Sequence, residues 1–108
     1  MPTTATVTPI TDDSFTAEVL ESDLPVVVDF TAAWCAPCRI MSPVLRELAA
    51  EREDVRFVEL DVDANQETAA RYGVLSMPTF LVFRAGEPVL RLVGSRSKRK
   101  LAEELTNL

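Results

Sequence analysis

Histidine is absent from this 108-residue chain, and cysteine occurs only twice. A structural zinc site takes four Cys or His ligands, so one copy of the chain cannot build one, although two copies pooling their cysteines could. Glycine occurs three times, and no Gly-rich phosphate loop, dinucleotide fingerprint or metal-ligand cluster can be read. No bound cofactor is expected, so any reducing power must come from a partner. No apolar run approaches the ~20 residues of a membrane-spanning helix. Met1 to Ile10 has neither a basic start nor an apolar centre, so no secretory leader is read there. The net charge is −6, with no long acidic block. That favours solubility and disfavours nucleic acid or an anionic membrane as a partner.

What is present is concentrated in one short run. Trp34-Cys35-Ala36-Pro37-Cys38 holds both cysteines and the only tryptophan. The run follows the apolar segment Val26-Val27-Val28-Asp29-Phe30 and opens a helix-like stretch. A thiol at a helix N-terminus faces unpaired N–H groups and the positive dipole end, which favour its thiolate. Positions i and i+3 share a helix face, so the second sulfur can reach the first. The pattern is that of a dithiol poised for disulfide exchange. A structural staple is the other reading, but a bridge over two intervening residues closes a very short loop and removes little unfolded-state entropy.

The length suits one domain, 1–108, and 47% of the residues are apolar, enough for a sizeable core. A weak strand is expected over Ala5 to Ile10, at an edge because of Pro9. Thr11-Asp12-Asp13-Ser14 reads as a helix start in which Asp or Ser caps free N–H groups. Val26 to Phe30 is apolar on both faces, as a central strand is. A helix is expected from Cys35 to about Arg52, with Ile40, Met41, Val44, Leu45 and Leu48 as its apolar stripe and a kink at Pro43. Val55 to Val62 is a second buried strand. Asn65 to Tyr72 is a short helix ended by Gly73. Thr79 to Phe83 and Val89 to Val93 form a hairpin around Arg84-Ala85-Gly86-Glu87. Ser97 to Leu108 is a last helix, with Leu101, Leu105 and Leu108 inward. The order βαβαβαββα demands an α/β fold: a mixed five-stranded sheet flanked by four helices.

Several residues stand out chemically. Asp29 interrupts an apolar strand, where a charge is costly unless paired, so its pKa should rise. Such a carboxyl near the resolving thiol could exchange a proton with Cys38 through water; an exposed strand-end Asp is the alternative. Trp34 is either a flat contact surface or a partly buried core aromatic. Pro37 fixes φ in the first helical turn, where a missing N–H costs least. Arg96, Lys98, Arg99 and Lys100 form a basic cluster that either steers acidic partners or is a solvated face.

Taken together, Thr11-Asp12-Asp13-Ser14-Phe15, Val28-Asp29-Phe30, Trp34-Cys35-Ala36-Pro37-Cys38, Pro43, Tyr72-Gly73-Val74, Met77-Pro78-Thr79, Gly86 and Val93-Gly94 resemble the thioredoxin family over nearly the whole chain. The resemblance implies the thioredoxin fold and a cytoplasmic, monomeric protein-disulfide reductase. Cys35 would attack and Cys38 resolve, with Asp29 assisting. A flavin-containing thioredoxin reductase drawing on NADPH would restore the dithiol. It implies that Trp34, Pro37, Met77, Pro78 and Gly94 meet substrate, with Pro78 cis and the Met77 backbone pairing with an extended target segment; spacing alone leaves a trans strand-start proline open. Ala36 stands where the family often has Gly, Thr31 where it often has an aromatic, and Glu59 where many members have Lys. Ser95 and Arg96 put polar groups into a usually apolar docking surface. The runner-up readings are a non-catalytic binding module of this fold and a more oxidising dithiol oxidase or isomerase.

Overall fold

A computed structural model describes residues 6–108. Five strands and four helices alternate along them: β1 (Thr8–Ile10), α1 (Thr16–Leu20), β2 (Val26–Thr31), α2 (Ala36–Glu51), β3 (Arg56–Asp61), α3 (Gln66–Arg71), β4 (Thr79–Arg84), β5 (Glu87–Val93) and α4 (Lys98–Glu104). The sheet order is β1-β3-β2-β4-β5. β1 and β2 run parallel to β3, while β2–β4 and β4–β5 are antiparallel. The helical connections permit the parallel pairs, and the closing hairpin makes β4–β5 antiparallel; β4 also enters antiparallel to β2, although a helix precedes it. That hairpin turns through Ala85 and Gly86, at φ 51° and 81°. A Cβ on Gly86 would also meet the Leu20 carbonyl oxygen at 3.1 Å, so both conformation and space favour glycine there.

β2 is the central strand, buried from Val26 to Phe30. Its side chains alternate between two cores. Val26, Val28 and Phe30 join Phe15 and Val19 of the α1 region and Ala69 of α3. Val27 joins Met41, Leu45 and Leu48 of α2, Leu101 of α4 and Leu105 just after it. The face that carries Val27 also carries Asp29, so Asp29 lies under α2.

Several sequence expectations need correction. β1 is confined to Thr8–Ile10 and is an edge strand, as Pro9 suggested; Ala5 lies outside the described residues. The Thr11–Ser14 segment is a turn in which Thr11 and Ser14 bond each other, and α1 follows with the wider winding of a π-helix. Asp12 does not cap α1. Its carboxylate accepts the backbone N–H groups of Glu67 and Thr68, at 3.2 and 2.9 Å, and so caps α3, a role worth about 1 kcal/mol. α2 runs through Pro43, but Ile40 is 68% exposed and Val44 half-buried. α4 ends at Glu104, short of Leu108.

Candidate active site

β2 ends at Thr31, and a four-residue link delivers the chain to α2. Cys35 is the N-cap of that helix, and its Sγ accepts the backbone N–H of Cys38 at 3.2 Å. The sulfur thus occupies the place of a capping oxygen, where donors and dipole favour negative charge. Pro37, in the first turn, removes no hydrogen bond the helix needs. The two cysteines are joined, with Sγ atoms 2.31 Å apart and Cα atoms 5.3 Å apart. Both are buried, at 3% and 4% exposure, so exposure does not distinguish them; the capping position does.

The two sulfurs face different surroundings. Cys35 Sγ lies 3.6 Å from the Met77 carbonyl oxygen. The Met77–Pro78 peptide is cis. The Pro78 carbonyl accepts the N–H of Gly94 at 2.9 Å, and Thr79 pairs with Val93. Met77, Pro78, Val93 and Gly94 therefore meet at one edge beside Cys35. Val93 exposes its apolar side chain there, at 53%. Trp34 is 64% exposed, which removes the core-aromatic reading; its Nε1–H donates to Asp63 at 2.8 Å. Cys38 instead lines a cavity of about 460 Å³ with Thr31, Arg39, Ser42, Glu59 and Asp61.

Asp29 is 5% exposed, and its Oδ1 has no hydrogen-bond partner among the described residues. It borders a cavity of about 110 Å³ shared with Ser42, Arg46 and Glu59. Burial, and then the charge of Glu59, pushes its carboxyl up from 3.8 to about 7. Ser42 and Glu59 line this cavity and the one beside Cys38 as well. The buried acid and the second sulfur thus border two cavities that share part of their lining.

The basic cluster is mostly spent within the molecule. Arg96 pairs with Glu104 at 2.8 Å, Lys98 with Glu51 and Glu47 at 2.5 and 3.2 Å, and Arg99 with Glu103 at 3.5 Å. Lys98 and Arg99 are ion-paired at the surface, while Arg96 is drawn in with its side chain 12% exposed.

A redox dithiol at a helix cap, on a mixed sheet of this order, makes the chain a thiol–disulfide oxidoreductase. The thioredoxin family model matches residues 6–107. A thioredoxin of Mycobacterium tuberculosis is 48% identical over 100 residues, 92% of this chain and 86% of its own. A thioredoxin of Mycolicibacterium smegmatis is 49% identical over 101 residues, 91% of this chain and 90% of its own. A bifunctional thioredoxin reductase/thioredoxin of Mycobacterium leprae is 46% identical over 100 residues, 92% of this chain and 22% of that protein. The chain belongs to the thioredoxin family. No helix among the described residues is long and apolar enough to cross a membrane.

Sequence reasoning missed Ser42, Asp63 and Glu104. Asp63 and Glu104 act through contacts with Trp34 and Arg96, and Ser42 only lines the two cavities; no local pattern marks such residues.

Proposed function

We propose that residues 1–108 act as one domain that reduces protein disulfides, with Cys35 as the attacking thiolate. The observation that carries this reading is the capped Cys35 sulfur, 3.2 Å from the Cys38 N–H and 3.6 Å from the Met77 carbonyl. The Cys35 thiolate attacks one sulfur of a target disulfide. A Cys35–target S–S bond forms, the target's own S–S bond breaks, and the freed target thiolate takes a proton. Cys38 then loses its proton, through water, to the Asp29 carboxylate. Its thiolate attacks Cys35 Sγ, forms the Cys35–Cys38 bond, breaks the Cys35–target bond and releases the second target sulfur as a thiolate, which takes a proton from water. Two electrons have passed to the target.

Trp34, Pro37, Met77, Pro78 and Gly94 form the substrate surface, and an extended target segment pairs along the Met77 backbone. A thioredoxin reductase restores the dithiol. The name of the Mycobacterium leprae relative, a bifunctional thioredoxin reductase/thioredoxin, supports that choice of partner. The protein works as a cytoplasmic monomer with no bound cofactor and no nucleic-acid or membrane partner.

Reduction of insulin by dithiothreitol tests the reading. Catalysis, followed as precipitation of the freed B chain, should accompany the protein and vanish in Cys35→Ser. No acceleration over dithiothreitol alone would leave a binding module. A dithiol potential well above those of reducing members would make it an oxidase.

A further inference from the structure

Arg96 is anchored through all three nitrogens of its guanidinium. Nε–H donates to the Gly94 carbonyl at 3.2 Å, and Nη2 donates to the Val93 carbonyl at 2.6 Å. Nη1 donates to both carboxylate oxygens of Glu104, each at 2.8 Å. The Arg96 side chain is only 12% exposed. Its backbone N–H points at Met41 Sδ, 3.5 Å away, on the turn of α2 that follows Cys38. Gly94 in turn donates to the Pro78 carbonyl. A chain of contacts thus runs from α4 through Glu104, Arg96 and Gly94 to the Met77–Pro78 edge beside Cys35.

The segment needs such an anchor. β5 ends at Val93 and α4 begins at Lys98, so the sheet ladder no longer holds residues 94–97. Gly94 sits at φ +96°, in a region where glycine has the most freedom. A planar guanidinium can hold two carbonyls and a carboxylate at once, while an ammonium cannot match that fork. The pair is partly buried, with Glu104 24% exposed, so solvent screens it less than a surface pair.

We propose that Arg96, held by Glu104, is a positioning residue that fixes the Val93–Gly94 edge for docking of protein targets. It selects disulfides flanked by an extended polypeptide over small disulfides, and it leaves the sulfur chemistry untouched. The proposal rests on the reading of Met77, Pro78 and Gly94 as the substrate edge.

Single-turnover reduction by the prereduced protein, over a range of target concentrations, gives a half-saturating concentration and a limiting rate for insulin. The rate constant for the small disulfide 5,5′-dithiobis(2-nitrobenzoate) is measured alongside. Arg96→Leu and Glu104→Gln should raise the insulin half-saturation by roughly threefold to tenfold, the loss that corresponds to the net worth of one typical hydrogen bond. The limiting rate and the small-disulfide rate should stay put. Arg96→Lys should remain impaired, because it keeps an ion pair but loses the fork. If Arg96→Leu does not fold, Glu104→Gln and Arg96→Lys carry the test. An unchanged half-saturation, full rescue by lysine, or a parallel fall in the small-disulfide rate overturns the proposal. Val93→Gln, an exposed change on the same edge, separates the two levels. If it raises half-saturation while the Arg96 and Glu104 variants do not, the positioning role fails and the edge stands. If none of them does, the substrate-edge reading fails.

Discussion

Asp29 and Glu59 stand in register on neighbouring parallel strands, β2 and β3. Their side chains share one sheet face and border one cavity under α2. Burial and this like charge together hold the Asp29 carboxyl near neutrality, at about 7. A group that gains and loses a proton near neutral pH suits proton exchange with a thiol. Glu59 is thus a repulsive neighbour, where a cation at the same register position would be an attractive one.

Glu59→Lys should therefore lower the Asp29 pKa, because a cation favours the carboxylate that the anion disfavours. Carboxyl-carbon NMR titration of Asp29 in both proteins measures it. An unchanged titration curve would assign the substitution to the solvated surface.

Asp29→Asn should stabilise the fold near neutral pH and slow turnover. The folded carboxyl holds its proton more tightly than the unfolded one. Its contribution to stability is fully present below about pH 3.8. It is lost as pH rises toward the folded value of about 7. At about 1.4 kcal/mol for each tenfold change in proton affinity, the loss above neutrality is on the order of 4 kcal/mol. Asn avoids that loss but cannot move a proton. Denaturation midpoints of the two proteins should diverge progressively between pH 4 and pH 7; equal pH dependence would mean that Asp29 is solvated.

The fold was legible where period and punctuation agreed. Val26 to Phe30 reads as a central strand because it is apolar at both parities, and it is buried throughout. Gly73, at φ +66°, closes α3 as the sequence suggested. The width of a helix stripe was less legible. α2 meets the sheet along Cys38, Met41, Leu45 and Leu48, and Ile40 lies about 120° round from that strip at 3.6 residues per turn. Periodicity identified the apolar residues but not the arc the sheet covers. Long-range polar contacts were illegible. Thr11-Asp12-Asp13-Ser14 carries cap chemistry, but the helix that Asp12 caps begins more than 50 residues away. At the site, Cys35, Cys38 and Asp29 were legible from spacing and from one charge in an apolar run. Arg96 looked like part of a basic cluster because its partners, Gly94 and Glu104, are brought to it only by the β5–α4 bend.

Ala36→His or Pro37→His should make the pair more oxidising. No side chain between the cysteines now carries charge or a hydrogen-bond donor. An added imidazolium stabilises the thiolate and hence the reduced form, and about 30 mV corresponds to about 1.4 kcal/mol for a two-electron couple. Equilibration with glutathione gives the potential. A value that stays put or falls in both variants would contradict the placement of Cys35 as the stabilised thiolate.

The division of labour between the sulfurs is tested most directly by trapping. Reduced Cys38→Ser and Cys35→Ser proteins are mixed with a disulfide-bonded target, quenched with acid and resolved by non-reducing electrophoresis and mass spectrometry. Cys38→Ser should accumulate a mixed disulfide between Cys35 and the target, since nothing remains to resolve it. Cys35→Ser should accumulate none. Covalent complexes through Cys38 in the Cys35→Ser protein, with none in Cys38→Ser, would reverse the assignment of attacking and resolving thiols.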